Sequence, residues 1–323
     1  MHDPFWLSFS EDETVENADW VELSTLFRDD RTISQEDLSR AINQARDIPE
    51  ERARQLAADT FKELEDRARV CAGARSSSVS AYPFELLRAN TVLRWRRPRS
   101  RRTRAGAVYL FLLAVARADM STRGRILGGL DPTRIFERLC GNILLSFWAP
   151  ISPHADVMVL GTGQHRAVRR SFSNDIDSLC GGLNEGGGWK PAARSPGGGD
   201  AGLDLAVWHR FSDGRHGALV GFAQCKTGTH WRQNLPKLRP GALCGIYMRD
   251  RLVLEPLRLF MVPFRINLQR WREDTEQGGL LLDRCRITQH AVGISRQNLD
   301  ECLTWLSAFL RKQGKAIRRR RLP

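Results

Sequence analysis

The stretch Gly197–Gly228, GGGDAGLDLAVWHRFSDGRHGALVGFAQCKTG, decides how this chain is read. Leu203-Asp204-Leu205-Ala206-Val207-Trp208 is a short apolar, β-favouring run with one acid inside it. Phe211 to Gly217 is a polar turn whose Asp213-Gly214 step is a strong hairpin signal. Ala218 to Lys226 is a second strand ending in Gln224-Cys225-Lys226. Gln224 and Lys226 are two apart, so both project from one face. Pairing the strands brings Asp204, Gln224 and Lys226 together at one edge of a sheet, which suits a metal ion and a scissile phosphate.

Gly202-Leu203-Asp204, a short hairpin, then Gln224-Cys225-Lys226 resembles the core of the PD-(D/E)xK nuclease superfamily. The Gln-x-Lys form is similar to that of Mrr-type restriction endonucleases. The resemblance is specific over Asp200–Gly228, thinner over roughly residues 132 to 310, and absent from about the first 125. It implies an α/β fold, a restriction-endonuclease-like mixed sheet flanked by helices. It also implies a magnesium (or manganese) ion held by Asp204, the Gln224 carbonyl and the main-chain carbonyl of Cys225; Asp200, four residues before Asp204, is an additional option. Magnesium prefers such hard oxygens. Lys226 is expected to orient the attacking water or stabilise charge on phosphorus oxygens. A further acid is expected because glutamine leaves the site less negative than glutamate would. Glu137, in Ile135-Phe136-Glu137, matches the Phe-Glu pair that often opens the first helix of the Mrr-type core. Glu185, just before an implied glycine-rich insertion, is its rival.

Composition points the same way. With 323 residues, 41% hydrophobic and 27% charged, the chain is long enough for two domains or one large one. A net charge of +13 indicates a polyanionic partner, nucleic acid ahead of membrane. Seven cysteines, odd in number and without a CxxC pair, argue against a disulfide framework or zinc knuckle, so a reducing cytoplasm is expected. The N-terminus does not read as a signal peptide, and the longest apolar run, Ala105–Ala116, is too short to span a membrane.

Upstream of the hairpin, residues 1 to 125 read as a mainly helical domain, and 126 to 323 as the nuclease-like domain. The first 33 residues are acidic and aromatic, either an ordered docking segment for a partner or a disordered arm. Ser34 and Pro49 mark helix starts, as do Asp131-Pro132. Arg94-Trp95-Arg96-Arg97, Arg99, Arg101, Arg102 and Arg104 form a basic loop that either contacts phosphates and stacks on bases or is simply solvated. His230, Trp231 and Lys237 are weaker candidates for DNA contact. Gly279 opens a strand expected to reach about Ile287, Ser295–Arg311 an amphipathic helix, and Lys315–Arg321 a basic tail. Gly221 to Thr227 only approximates a phosphate-binding Walker loop, since the glycine before Lys226 is missing.

The expectation is a magnesium-dependent endonuclease acting on DNA. A restriction or anti-phage defence role is implied only by the resemblance. RNA as substrate and a homo-oligomeric state stay open. The alternatives are a catalytically silent nucleic-acid-binding module and an interaction subunit of a multi-protein defence system.

Overall fold

The computed structural model describes residues 13–72, 81–96, 103–152, 154–160, 171–196 and 201–321. It is a mixed α/β structure with a three-stranded and a five-stranded sheet.

The chain opens with α1 (Glu13–Thr25), β1 (Thr32–Ser34), α2 (Gln35–Arg46) and α3 (Glu50–Ala72), then β2 (Phe84–Leu87), β3 (Val92–Trp95) and α4 (Thr103–Arg117). Ser34 caps α2 through a reciprocal box. Its hydroxyl accepts the Asp37 N–H at 3.0 Å, and the Asp37 carboxylate accepts the Ser34 N–H at 3.1 Å. Helix α4 is the apolar run, buried from Ala105 to Ala116. The small antiparallel sheet, in order β1-β3-β2, was not expected from the sequence. Its strands are three and four residues long, and the β2–β3 turn is made by Arg88, Ala89 and Asn90 at φ 50°, 50° and 65° without a glycine. Neither alternation nor turn chemistry therefore announces it.

The second part runs α5 (Pro132–Trp148), β4 (Asp156–Val159), α6 (Phe172–Leu183), β5 (Leu205–His209), β6 (Leu219–Cys225), α7 (Pro240–Tyr247), β7 (Leu257–Met261), α8 (Leu268–Gly278), β8 (Leu280–Leu282), α9 (Arg284–Gln289) and α10 (Arg296–Arg321). The sheet order is β4-β5-β6-β7-β8, antiparallel through β6 and parallel beyond it. One face, carrying Leu205, Val207, Ala223, Cys225 and Leu259, joins the core of α5, α4 and α10. The opposite face, with Ala206, Trp208, Val220 and Phe222, packs on residues of α6 and α7. The strand expected to reach Ile287 stops at Leu282, because Asp283 accepts the Arg286 N–H at 3.0 Å and starts α9. The basic tail continues α10 as helix to Arg321.

Elements before and after residue 125 share one hydrophobic core, from Ala18 of α1 to Phe309 of α10. Charge joins them too. Arg284 of α9 donates to both carboxylate oxygens of Asp19 at 2.7 and 2.9 Å, and Arg67 of α3 reaches Asp19 at 2.7 Å and Glu22 at 2.9 Å. Tyr82 and Tyr109 donate to the other oxygen of Glu22 at 2.6 and 2.7 Å. Asp19 and Glu22 are buried, so these two acids hold the fold together and are not part of an exposed docking arm. Residues 1–12 lie outside the described residues. Among the described residues, no helix is long and apolar enough to cross a membrane.

Candidate active site

Asp204 stands immediately before β5, in the middle of the antiparallel part of the sheet. Its N–H donates to Ala223 O at 3.0 Å, and its carbonyl accepts the Leu160 N–H at 2.9 Å. The register Leu205↔Ala223 continues back one residue to set Asp204 opposite Gln224. Opposed side chains share a face, and so do residues two apart. Asp204, Gln224 and Lys226 therefore come together, as the hairpin reading expected.

The buried Asp204 carboxylate is held by its neighbours in this motif. Asp204 Oδ2 accepts the Cys225 main-chain N–H at 2.7 Å and the Lys226 ammonium at 3.3 Å. Lys226 keeps 29% of its side chain exposed while Asp204 keeps 3%, so the ammonium is the member of the pair open to an incoming ligand. Gln224 is buried, and its Oε1 has no hydrogen-bond partner among the described residues. A buried orphan carbonyl is costly unless something else satisfies it. Gly202 makes room for this amide. Its φ is +82°, and a Cβ there would sit 2.9 Å from Gln224 Nε2.

The oxygens of Asp204 and Gln224 suit a hard divalent cation, and the orphan Gln224 oxygen is the observation in favour of one. Among the described residues, no three His, Cys, Asp or Glu side chains form a metal-binding group. The remaining oxygens would come from main chain, water and substrate. Asp200 lies outside the described residues. The Cys225 thiol points to the opposite face, against Cys140 of α5. Burial pushes both thiols up, which leaves only the Cys225 main chain as a ligand candidate.

The two rival acids part company. Asp131 caps α5, accepting the Thr133 N–H at 3.0 Å, and Thr133 Oγ1 lies 3.5 Å from Thr227 Oγ1, one residue past Lys226. Glu137 follows one turn later on the same side of the helix. It is buried, and its charge acts together with that of Asp204 on Cys140 and Cys225. Glu137 thus lies on the α5 side of the strand end that carries Cys225. Glu185 lies at the other end of β6. It accepts main-chain N–H groups from Gly217, from Ala218 at 3.0 Å and from Val253 at 3.0 Å, at the start of β6. Six residues of strand, about 20 Å, separate that end from Gln224. Burial alone would raise the Glu185 carboxyl, but these donors and nearby His216 hold it below its ordinary value.

The basic candidates are spread out. Arg94 and Trp95 belong to β3 rather than a loop. Arg94 and Arg96 both bond Glu85, at 2.6 and 2.8 Å, and the Arg31 guanidinium covers the Trp95 ring at 4.4 Å. Both arginines keep about half of their side chains exposed beside Glu85. Arg104 is exposed at the start of α4, and Arg97, Arg99, Arg101 and Arg102 lie outside the described residues. His230 and Lys237 are exposed on the segment after Lys226, with Lys237 Nζ on Asn234 Oδ1 at 2.8 Å. Trp231 is buried against Phe264 and cannot stack on a base. Sequence reasoning missed the Thr133–Thr227 contact, which no local signal announces because it spans 94 residues. In comparisons with known proteins, the chain matches no family model, no curated protein and no solved structure.

Proposed function

We propose that the chain is a divalent-metal-dependent endonuclease of the PD-(D/E)xK type that hydrolyses phosphodiester bonds in DNA. The observation that carries this reading is the meeting of Asp204, Gln224 and Lys226 on one sheet face, with the Gln224 oxygen unpartnered among the described residues. Asp204, the Gln224 carbonyl and the Cys225 main chain would hold magnesium or manganese, and Glu137 would supply the additional negative charge. When bound, such an ion polarises a phosphoryl oxygen and lowers the pKa of its water.

The residues of the chain do the rest. Asp204 holds Lys226 so that its ammonium faces the approach to the site. From there Lys226 donates to a non-bridging phosphoryl oxygen, where negative charge grows in the transition state. Thr133 and Thr227 meet at 3.5 Å and bring the start of α5, one turn before Glu137, to the end of β6. The net charge of +13 favours a polyanionic substrate. The restriction or anti-phage role, and any defence-system partner, rest on the Mrr-type resemblance of the motif.

The test is plasmid cleavage with magnesium, manganese or EDTA by the natural protein and by Lys226→Ala. Metal-dependent nicking or linearisation that the variant loses, with DNA affinity retained, supports the reading. Absence of cleavage by the natural protein with either cation overturns it.

A further inference from the structure

Helix α10 lies antiparallel to α5. Ser295 N–H donates to Asn142 Oδ1 at 2.8 Å, and Asn298 Nδ2 to Arg138 O at 3.2 Å. Trp305 Nε1 then reaches the carbonyl of Arg125 at 2.9 Å, and Arg125 itself pairs with Asp131, the cap of α5. Lys312 Nζ reaches Gly124 O at 3.4 Å. From Trp305 to Arg321 the helix continues for about 24 Å, past the start of α5. That start is where Thr133 meets Thr227, next to Lys226. The end of α10 and the Asp204–Gln224–Lys226 motif are therefore at the same end of the fold. The charge of α10 is one-sided. Cys302, Trp305, Phe309 and Gln313 are buried, while Arg311, Lys312 and Lys315 are exposed on another face. Helical spacing carries that row on to positions 318 and 319, within the run Arg318–Arg321, and no acid follows Glu301 in the sequence. Arg123, next to Gly124, is exposed, and Arg134 stands half-buried in the first turn of α5. Among the described residues, no carboxylate pairs with Arg123, Arg134, Arg311 or Lys315. One exposed acid, Asp119, lies nearby and accepts the Ser121 N–H at 3.0 Å.

We propose that the C-terminal part of α10, together with Arg123 and Arg134, grips the phosphate backbone of DNA whose scissile bond lies at Lys226. DNA as the ligand rests on the nuclease reading; the surface that holds it rests on charge and placement. A row of cations without carboxylate partners suits a polyanion, because each can displace a counterion from a phosphate. Arg94 and Arg96 differ in this respect, since Glu85 already pairs with both. An anionic membrane would also attract the row, but an interfacial helix binds by burying its apolar face in the lipid. The apolar face of α10 is already used. Phe309 is buried in the shared core, and Leu310 and Ile317 pack against it. The end of the helix thus offers charge without free apolar surface, which favours nucleic acid over lipid.

The experiment measures binding of a labelled DNA duplex to the full-length protein by fluorescence anisotropy over a range of salt, in EDTA so that nothing is cut. Arg311→Gln combined with Lys315→Gln should lower the slope of log affinity against log salt by about 1.8, at about 0.9 per phosphate contact. Both residues are exposed and glutamine keeps the helix propensity, so the variant stays folded. Arg296→Gln removes a charge that is 91% exposed at the opposite end of α10 and should leave the slope unchanged. A slope unaltered in the double variant, or lowered as much per charge by Arg296→Gln, would overturn the proposal. Phosphatidylserine vesicles bound more tightly than DNA, with the same loss in the double variant, would also overturn it by making a membrane the ligand. Plasmid cleavage with magnesium, run alongside, keeps the two readings apart. A flattened slope with no cleavage by the natural protein supports the α10 surface and counts against the nuclease alone. An unaltered slope with cleavage intact counts against the α10 surface alone.

Discussion

Lys226 Nζ lies 3.3 Å from Asp204 Oδ2, the same oxygen that accepts the Cys225 main-chain N–H. One carboxylate thus orients both the lysine and the backbone of the strand carrying it. Asp204→Asn keeps the shape and removes the charge. Cleavage should fall by about 10²–10³-fold, the scale of losing one preorganised electrostatic group. DNA affinity should not weaken, since a negative charge has been removed. Plasmid nicking and fluorescence anisotropy measure the two separately, and a variant that still cuts at the natural rate would remove Asp204 from the site.

Glu137 and Glu185 separate chemistry from architecture. Glu137→Gln should abolish cleavage while leaving the urea midpoint close to that of the natural protein. Glu185→Gln should leave the cleavage rate intact and lower stability by about 1–3 kcal/mol, because charge-assisted bonds to main-chain N–H groups are lost. Reversed outcomes would exchange the two roles.

The same Glu185 predicts a pH effect. Its folded carboxyl lies below the ordinary value of 4.5. A depressed carboxyl contributes stability that is present above the unfolded pKa and lost as pH falls through the folded one. Thermal melts from neutral pH down through that range should therefore show a shallower acid loss for Glu185→Gln than for the natural protein. Parallel curves would show that Glu185 does not contribute to the acid limb.

Asp19 of α1 and Arg284 of α9 meet across 265 positions of chain. Asp19→Ala leaves Arg284 and Arg67 buried with one carboxylate fewer, and should cost about 3–5 kcal/mol. Urea unfolding measures it. Replacing Asp19 and Arg284 together with apolar residues should recover part of the loss. A single variant as stable as the natural protein would show that the network contributes little.

Arg94 and Arg96 are already paired with Glu85. Changing both to alanine should leave the salt dependence of DNA binding unaltered, whereas each true phosphate contact removed would lower the slope by about 0.9. A flatter slope would return these two arginines to the nucleic-acid interface.

Where local chemistry is strong, the sequence was legible. Asp213-Gly214 between two apolar runs marks the β5–β6 hairpin, and Ser34 and Asp131 mark helix starts that form with capping bonds. The β2–β3 hairpin was not legible, because Arg88, Ala89 and Asn90 adopt positive φ without a glycine to signal it. The acids of α1 looked like a charged arm, since nothing nearby in the chain reveals that their partners are Arg67 and Arg284.

By itself the sequence determined the hairpin, the helix starts, and the sharing of one face by Gln224 and Lys226, because alternation and capping are set by residues a few positions apart. Only the tertiary structure decided that α5, with Glu137, packs at the Cys225 end of β6 while Glu185 binds the far end, and that Arg94 and Arg96 pair with Glu85. Those outcomes depend on which distant segments pack together. That choice is made by burial of the shared core from α1 to α10, and no local pattern encodes it.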